Sequence, residues 1–85
     1  MSTFAINRFG EKLHRLRIAH NMTLKDLAEA LGLTSHGYIS ELEAGKKLPT
    51  VQFVLGAATL FQVTTDSLIR DEMEPEGTIT NVQAN

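Results

Sequence analysis

The sequence predicts an all-α fold, and three observations carry that prediction. Between residues 7 and 70 apolar residues recur at helical spacing in five short segments. Each segment is bounded by residues that start or stop a helix. No stretch of residues 1–70 alternates apolar and polar as a half-buried strand would. At 85 residues the chain suits one small domain with a single core. It contains no cysteine, so that core has to stand on packing, without disulfides or thiolate-bound metal.

The first helix is expected from Arg8 to Arg17, with Phe9, Leu13 and Leu16 inward and Asn7 as N-cap. Arg8, Lys12 and Arg15 share a face with Glu11 at spacings of three and four, which reads as a solvated charged side. Thr23, with Asp26 three residues later, has the pattern of a capping box and opens a second helix through Leu31, with Gly32 as its stop. Ser35 is the expected N-cap of a third helix, which turns Ile39 and Leu42 inward and ends at Ala44, where Gly45 supplies a left-handed residue. Pro49 and Thr50 open a fourth helix with Val51, Val54, Ala57, Ala58 and Phe61 along its inward face. Thr64 or Thr65 caps a last short helix through Leu68 and Ile69.

These elements define a domain over residues 7–70. Residues 71–85 read as an acidic and polar appendage, broken by Glu74-Pro75-Glu76-Gly77, with three expected uses: a short strand over 78–82, a dimer contact, or a contact for a protein partner. The formal net charge is −2, but residues 1–70 hold all eight Lys and Arg against six of the ten acids. The predicted domain is therefore mildly basic and its appendage acidic.

Several function classes are unpromising. No apolar run approaches the roughly 20 residues of a membrane span, and Met1 to Gly10 lacks the pattern of a signal peptide, so a cytoplasmic protein without a membrane partner is expected. His14, His20 and His36 are not at ligand spacing, and no carboxylate completes a set beside them, so no metal is expected. Gly-rich phosphate loops, paired carboxylates in apolar surroundings and nucleophile–base patterns are all missing, so neither an enzyme nor a cofactor is expected.

The order Leu27-Ala28, Leu31-Gly32-Leu33, Ile39, Leu42 points instead to two helices packed at a steep angle: Ala28 is small where they meet, and Gly32 permits the turn. With Ile39 and Leu42 inward, the outer face of the third helix carries His36, Gly37, Tyr38, Ser40 and Glu41, a polar surface of the kind that enters a major groove. The chain resembles the phage Cro and repressor (XRE) family over roughly residues 9–69. The resemblance rests on Leu16-Arg17, on Met22-Thr23-Leu24-Lys25-Asp26-Leu27-Ala28, on Gly32-Leu33, on Tyr38-Ile39-Ser40-Glu41-Leu42-Glu43-Ala44-Gly45-Lys46 and on Pro49.

That resemblance implies a five-helix lambda-repressor-like domain that binds double-stranded DNA. It places Thr23, Lys25, Ser35, His36, Gly37, Tyr38, Glu41, Lys46 and Lys47 at the DNA, with His36, Gly37 and Glu41 at the positions that face bases, Gly37 offering no side chain to read one, and Lys46 and Lys47 clamping phosphate. Alternative readings stay open: Tyr38 packed on the protein, Glu41 solvated or repelling wrong sites, His36 as a plain helix-start residue, and Lys46 and Lys47 as a solvated pair. The resemblance also implies a buried Arg17–Glu43 salt bridge that ties the first helix to the end of the third. Two positions depart from the family. Leu33-Thr34-Ser35 holds one residue more than the common turn, and Leu24 replaces a phosphate-contacting Gln, leaving Lys25 and the Thr23 hydroxyl to take that contact.

One short helix reaches only about four or five base pairs, too few to single out a site in a genome, which leads to a homodimer on an inverted repeat. Phe53, Gly56 and Leu60 on a second stripe of the fourth helix, with Ile69 and Met73, are the expected dimer interface; the alternative is that Phe53 and Leu60 cover the core or pack under the appendage. A transcription regulator, most simply a repressor, is the leading expectation. An antitoxin, a restriction-modification control protein, or an interaction module that has lost DNA binding are the alternatives.

Overall fold

The computed structural model describes residues 6–75. It contains five helices: α1 (Phe9–Ala19), α2 (Leu24–Ala30), α3 (Gly37–Glu43), α4 (Val51–Phe61) and α5 (Thr65–Ile69). The strand expected over 78–82 lies outside the described residues.

The helix signals act through identifiable hydrogen bonds. Thr23 and Asp26 form a reciprocal capping box, and the Thr50 and Thr64 hydroxyls accept from the amides of Phe53 and Ser67 to cap α4 and α5. Helices α1 to α4 each end in paired 6→1 and 5→2 backbone bonds around a left-handed residue: Asn21, Gly32, Gly45 and Gln62. At the start of α3 the expectation is corrected by one position. The helix begins after His36, and the Ser35 hydroxyl accepts from the Gly37 amide at 3.2 Å.

The start of α1 differs more. Asn7 makes no cap; the residue at the cap position is Arg8, whose side chain makes no cap bond. The Asp71 carboxylate instead accepts from the Asn7 and Arg8 amides at 3.0 Å each. The amide at the cap position and the one before it are thus satisfied from the segment after α5. The Asp71 carbonyl accepts from Arg8 Nη1 at 2.6 Å, and Glu74 bridges Arg8 at 2.7 Å and Arg15 at 2.5 Å. Residues 71–75 therefore pack on α1, and Pro75 is fully buried.

Nor is the charged side of α1 uniformly solvated. Lys12 is fully buried, and its ammonium donates to the carbonyls of Ser67 and Arg70 at the end of α5. Burial lowers its pKa, the expected direction for a desolvated ammonium. The Ser67 carbonyl is left without a helical partner by the end of α5, the Arg70 carbonyl also accepts from the Met73 amide at 3.1 Å, and together they make the burial of a cation tolerable.

The core joins Phe9, Leu13 and Leu16 of α1 to Leu27 and Ala28 of α2, Ile39 and Leu42 of α3, five residues of α4, and Leu68. Helix α1 approaches the end of α3 so closely that a Cβ on Gly10 would stand 2.2 Å from the Leu42 carbonyl oxygen. Two residues of α4 depart from the expected pattern. Val51, expected inward, is 85% exposed, whereas Phe53, expected outward, is 7% exposed and packs edge-on to Phe9 and Tyr38. Val54, Ala57, Ala58 and Phe61 of α4 are buried as expected.

Candidate nucleic-acid interface

The surface is positioned from beneath. Ile39 and Leu42 are completely buried, which fixes the rotation of α3 and validates the register with the additional turn residue. Their neighbours on the opposite side of α3 remain available: His36, Gly37 and Ser40 are exposed, and Glu41 and Tyr38 are half-buried. Thr23, Lys25 and Ser35 before α3, and Lys46 and Lys47 after it, are exposed as well.

Three contacts orient this unit. Arg17 grips Glu43 with two bonds, Nε to Oε2 at 2.7 Å and Nη2 to Oε1 at 3.0 Å, and its Nη1 donates to the Met22 carbonyl at 2.8 Å. One guanidinium therefore holds the end of α3 and the approach to α2 together. His14 adds its Nδ1 at 2.9 Å from Glu43. Burial works against the Glu43 carboxylate, but the bonds from Arg17 and His14 outweigh it and hold its pKa below the ordinary value. The third contact is Tyr38, whose hydroxyl accepts from the Thr50 amide at 3.2 Å while its ring meets Phe53. Tyr38 thus fastens the start of α3 to the start of α4.

Glu41 and Lys47, assigned to a base and to a phosphate, lie 3.1 Å apart as an ion pair, and the Lys47 ammonium stands 6.0 Å from the Tyr38 ring centre. Gly37 is not demanded by the protein: its only near neighbour is the Ser35 hydroxyl oxygen, 3.5 Å from an added Cβ, and its φ is not positive. At the other end of α3, Gly45 has φ +78°, and Lys46 and Lys47 after it are exposed.

The residues expected at a dimer interface fall apart into separate environments. Phe53 belongs to the core, which corrects its assignment. Gly56 faces Leu31, the residue that follows α2, at a cleft of about 220 Å³ that Leu33, Tyr38 and Phe53 also line. Leu60 is half-buried against the core, and Met73 is half-buried in the packed segment after α5. Ile69 lies elsewhere, in an apolar groove of about 330 Å³ with Ile6, Pro49, Val51, Val54 and Leu55. Leu48, Val51 and Leu55 are strongly exposed, an apolar surface that the helical pattern of α4 did not single out.

A short polar helix seated on its partner by a left-handed turn, with lysines at its far end, defines a helix-turn-helix DNA-binding domain. The helix-turn-helix (HTH_3) family model matches residues 13–68, and the chain belongs to this family of XRE-type transcription regulators. Among sequences, it is similar to the HTH-type transcriptional activator BcrR of Enterococcus faecalis, with 39% identity over 64 residues. That match covers 75% of this chain and 31% of BcrR, so the chain spans about a third of that relative. Among solved structures, it is similar to the restriction-modification controller protein C.AhdI of Aeromonas hydrophila, with a TM-score of 0.65 and 27% identity, covering 74% of this chain and 94% of that one. The N-terminal DNA-binding domain of SinR from Bacillus subtilis shares the fold, with a TM-score of 0.71 and 23% identity, covering 80% of this chain and 99% of that domain. No helix among the described residues is long and apolar enough to cross a membrane.

Proposed function

We propose that this protein is a cytoplasmic, sequence-specific transcription regulator that represses its target as a homodimer on an inverted-repeat operator, without catalytic activity or a cofactor. The observation that carries the reading is the two-sidedness of α3. Ile39 and Leu42 are fully buried under a face on which His36, Gly37 and Ser40 stand exposed. In this reading α3 lies in the major groove, His36 reads a base edge, and Lys25, Lys46 and Lys47 neutralise phosphates.

Selection of bound duplexes from a random pool provides the operator and the test. Lys46→Ala and Lys47→Ala weaken binding to the selected duplexes by reducing the charge term, whereas His36→Ala changes the preference among duplexes. Unchanged binding in all three variants removes this surface from consideration.

The second copy is best accommodated by the groove of Ile6, Pro49, Val51, Val54, Leu55 and Ile69, extended by Leu48. Of the residues first expected at the interface, this surface retains Ile69 and replaces Phe53. A restriction-control role is the second reading, favoured because the likeness to C.AhdI extends over 94% of that chain. A modification methyltransferase or endonuclease gene beside this one, with the operator between them, distinguishes the two.

A further inference from the structure

We propose that Glu41 and Lys47 act in DNA binding as one coupled unit, so that a phosphate contact is made only where the base facing Glu41 releases Lys47. The inference rests on the proposal that α3 enters the major groove, and it concerns what the ion pair does once there. In the free protein Glu41 holds the Lys47 ammonium at 3.1 Å, and the face of Tyr38 lies 6.0 Å from it on another side. Tyr38 is itself fixed by Thr50 and Phe53, so Lys47 is the member able to leave. Both charged side chains are about half exposed, and ion pairs of this kind are weak enough to open.

Opening has a consequence set by sequence. When Lys47 moves to a phosphate, the Glu41 carboxylate faces an anionic groove without its counter-ion, and repulsion opposes docking. A cytosine or adenine amino group opposite Glu41 donates to the carboxylate and removes that penalty; a guanine O6/N7 or thymine O4 offers only acceptors and increases it. Phosphate contacts ordinarily carry no sequence information. Here one of them becomes conditional on a base. Lys46, which follows the same turn and has no ion-pair partner among the described residues, is the built-in comparison.

The experiment measures affinity of the full chain for the selected operator and for a scrambled duplex across a salt series. Each phosphate contact contributes about 0.9 to the slope of log affinity against log salt, roughly a threefold to fourfold change in affinity across a fourfold change in salt. In the wild type the operator slope exceeds the scrambled slope by about that one contact. Glu41→Gln raises the scrambled slope to the operator value. Lys47→Gln lowers the operator slope and leaves the scrambled slope where it was, whereas Lys46→Gln lowers both. A scrambled slope unmoved by Glu41→Gln, or lowered by Lys47→Gln, overturns the coupling while leaving DNA binding intact. Salt-independent or absent binding of the wild type to both duplexes overturns the DNA-binding proposal, and the coupling with it.

Discussion

Gly37 is a glycine that the protein does not need. A methyl group there meets nothing closer than 3.5 Å, and the residue occupies the first position of a helix, where alanine is the better former. Gly37→Ala is expected to stabilise the fold by up to about 1 kcal/mol, read as a raised melting temperature. In the same variant operator affinity falls about tenfold, on the order of 1.4 kcal/mol, because the methyl holds the backbone away from the groove. An alanine variant that binds as tightly as the wild type assigns the glycine no part in recognition. Gly10 is the opposite case. Its place is filled by backbone oxygens of Leu42 and Glu43, which cannot move aside as a side chain can. Gly10→Ala is therefore expected to lose at least about 1–3 kcal/mol by overpacking, read from the midpoint of urea unfolding. Sequence pattern marks neither role, since a glycine required by another helix and one left for a ligand look alike until the neighbours are known.

Among the elements, α1 shows most plainly what a linear reading captures and what it misses. Phe9, Leu13 and Leu16 follow the helical period and are buried as expected, because one face of a short helix must meet the core. The spacing of Arg8, Lys12 and Arg15 suggests a single solvated charged side, and both arginines do pair with Glu11, yet Lys12 goes to the carbonyls of Ser67 and Arg70 and the arginines reach on to Glu74. Ser67, Arg70 and Glu74 lie more than fifty residues along the chain, and periodicity carries no information at that range. The same limit explains α4, where Val51 and Phe53 exchange their expected environments because rings on α1 and α3 decide which side is inner. Glu74 gives this packing a pH signature. Its hydrogen bonds from Arg15 and Arg8 depress its pKa to about 2, so the carboxylate contributes stability above its unfolded-state pKa and loses it as pH falls toward about 2. Glu74→Gln is accordingly less stable than the wild type at pH 7, and the gap narrows on acidification below about pH 4.3, the ordinary Glu value. A gap constant from neutrality to acid argues against the bridge.

For the whole molecule, the helix-turn-helix was the most legible part, because its capping box, its two stop glycines and the buried Ile39 and Leu42 are all local signals. The surface proposed for the second copy was the least legible. It is assembled from Leu48 before α4, Val51 and Leu55 on it, and Ile69 on α5, which no single helical stripe contains. Leu55→Glu is expected to change the stability of the folded monomer by no more than about 0.5 kcal/mol, as for an ordinary surface change, and to convert the proposed dimer to monomer in sedimentation. A folded variant that remains dimeric assigns association to another face. Operator binding in the monomeric variant should become shallower in protein concentration, since two half-sites are then filled independently.

The bonds from the amides of Asn7 and Arg8 to Asp71 bring the two edges of the domain within 3.0 Å of each other. Such a meeting point makes the reading head portable. A host protein can receive residues 7–75 as an insertion in a surface loop, or the domain can be circularly permuted, with a short linker and little change to the helices between. The contact that starts α1 also serves as a clasp, and a graft that omits Asp71 leaves it open.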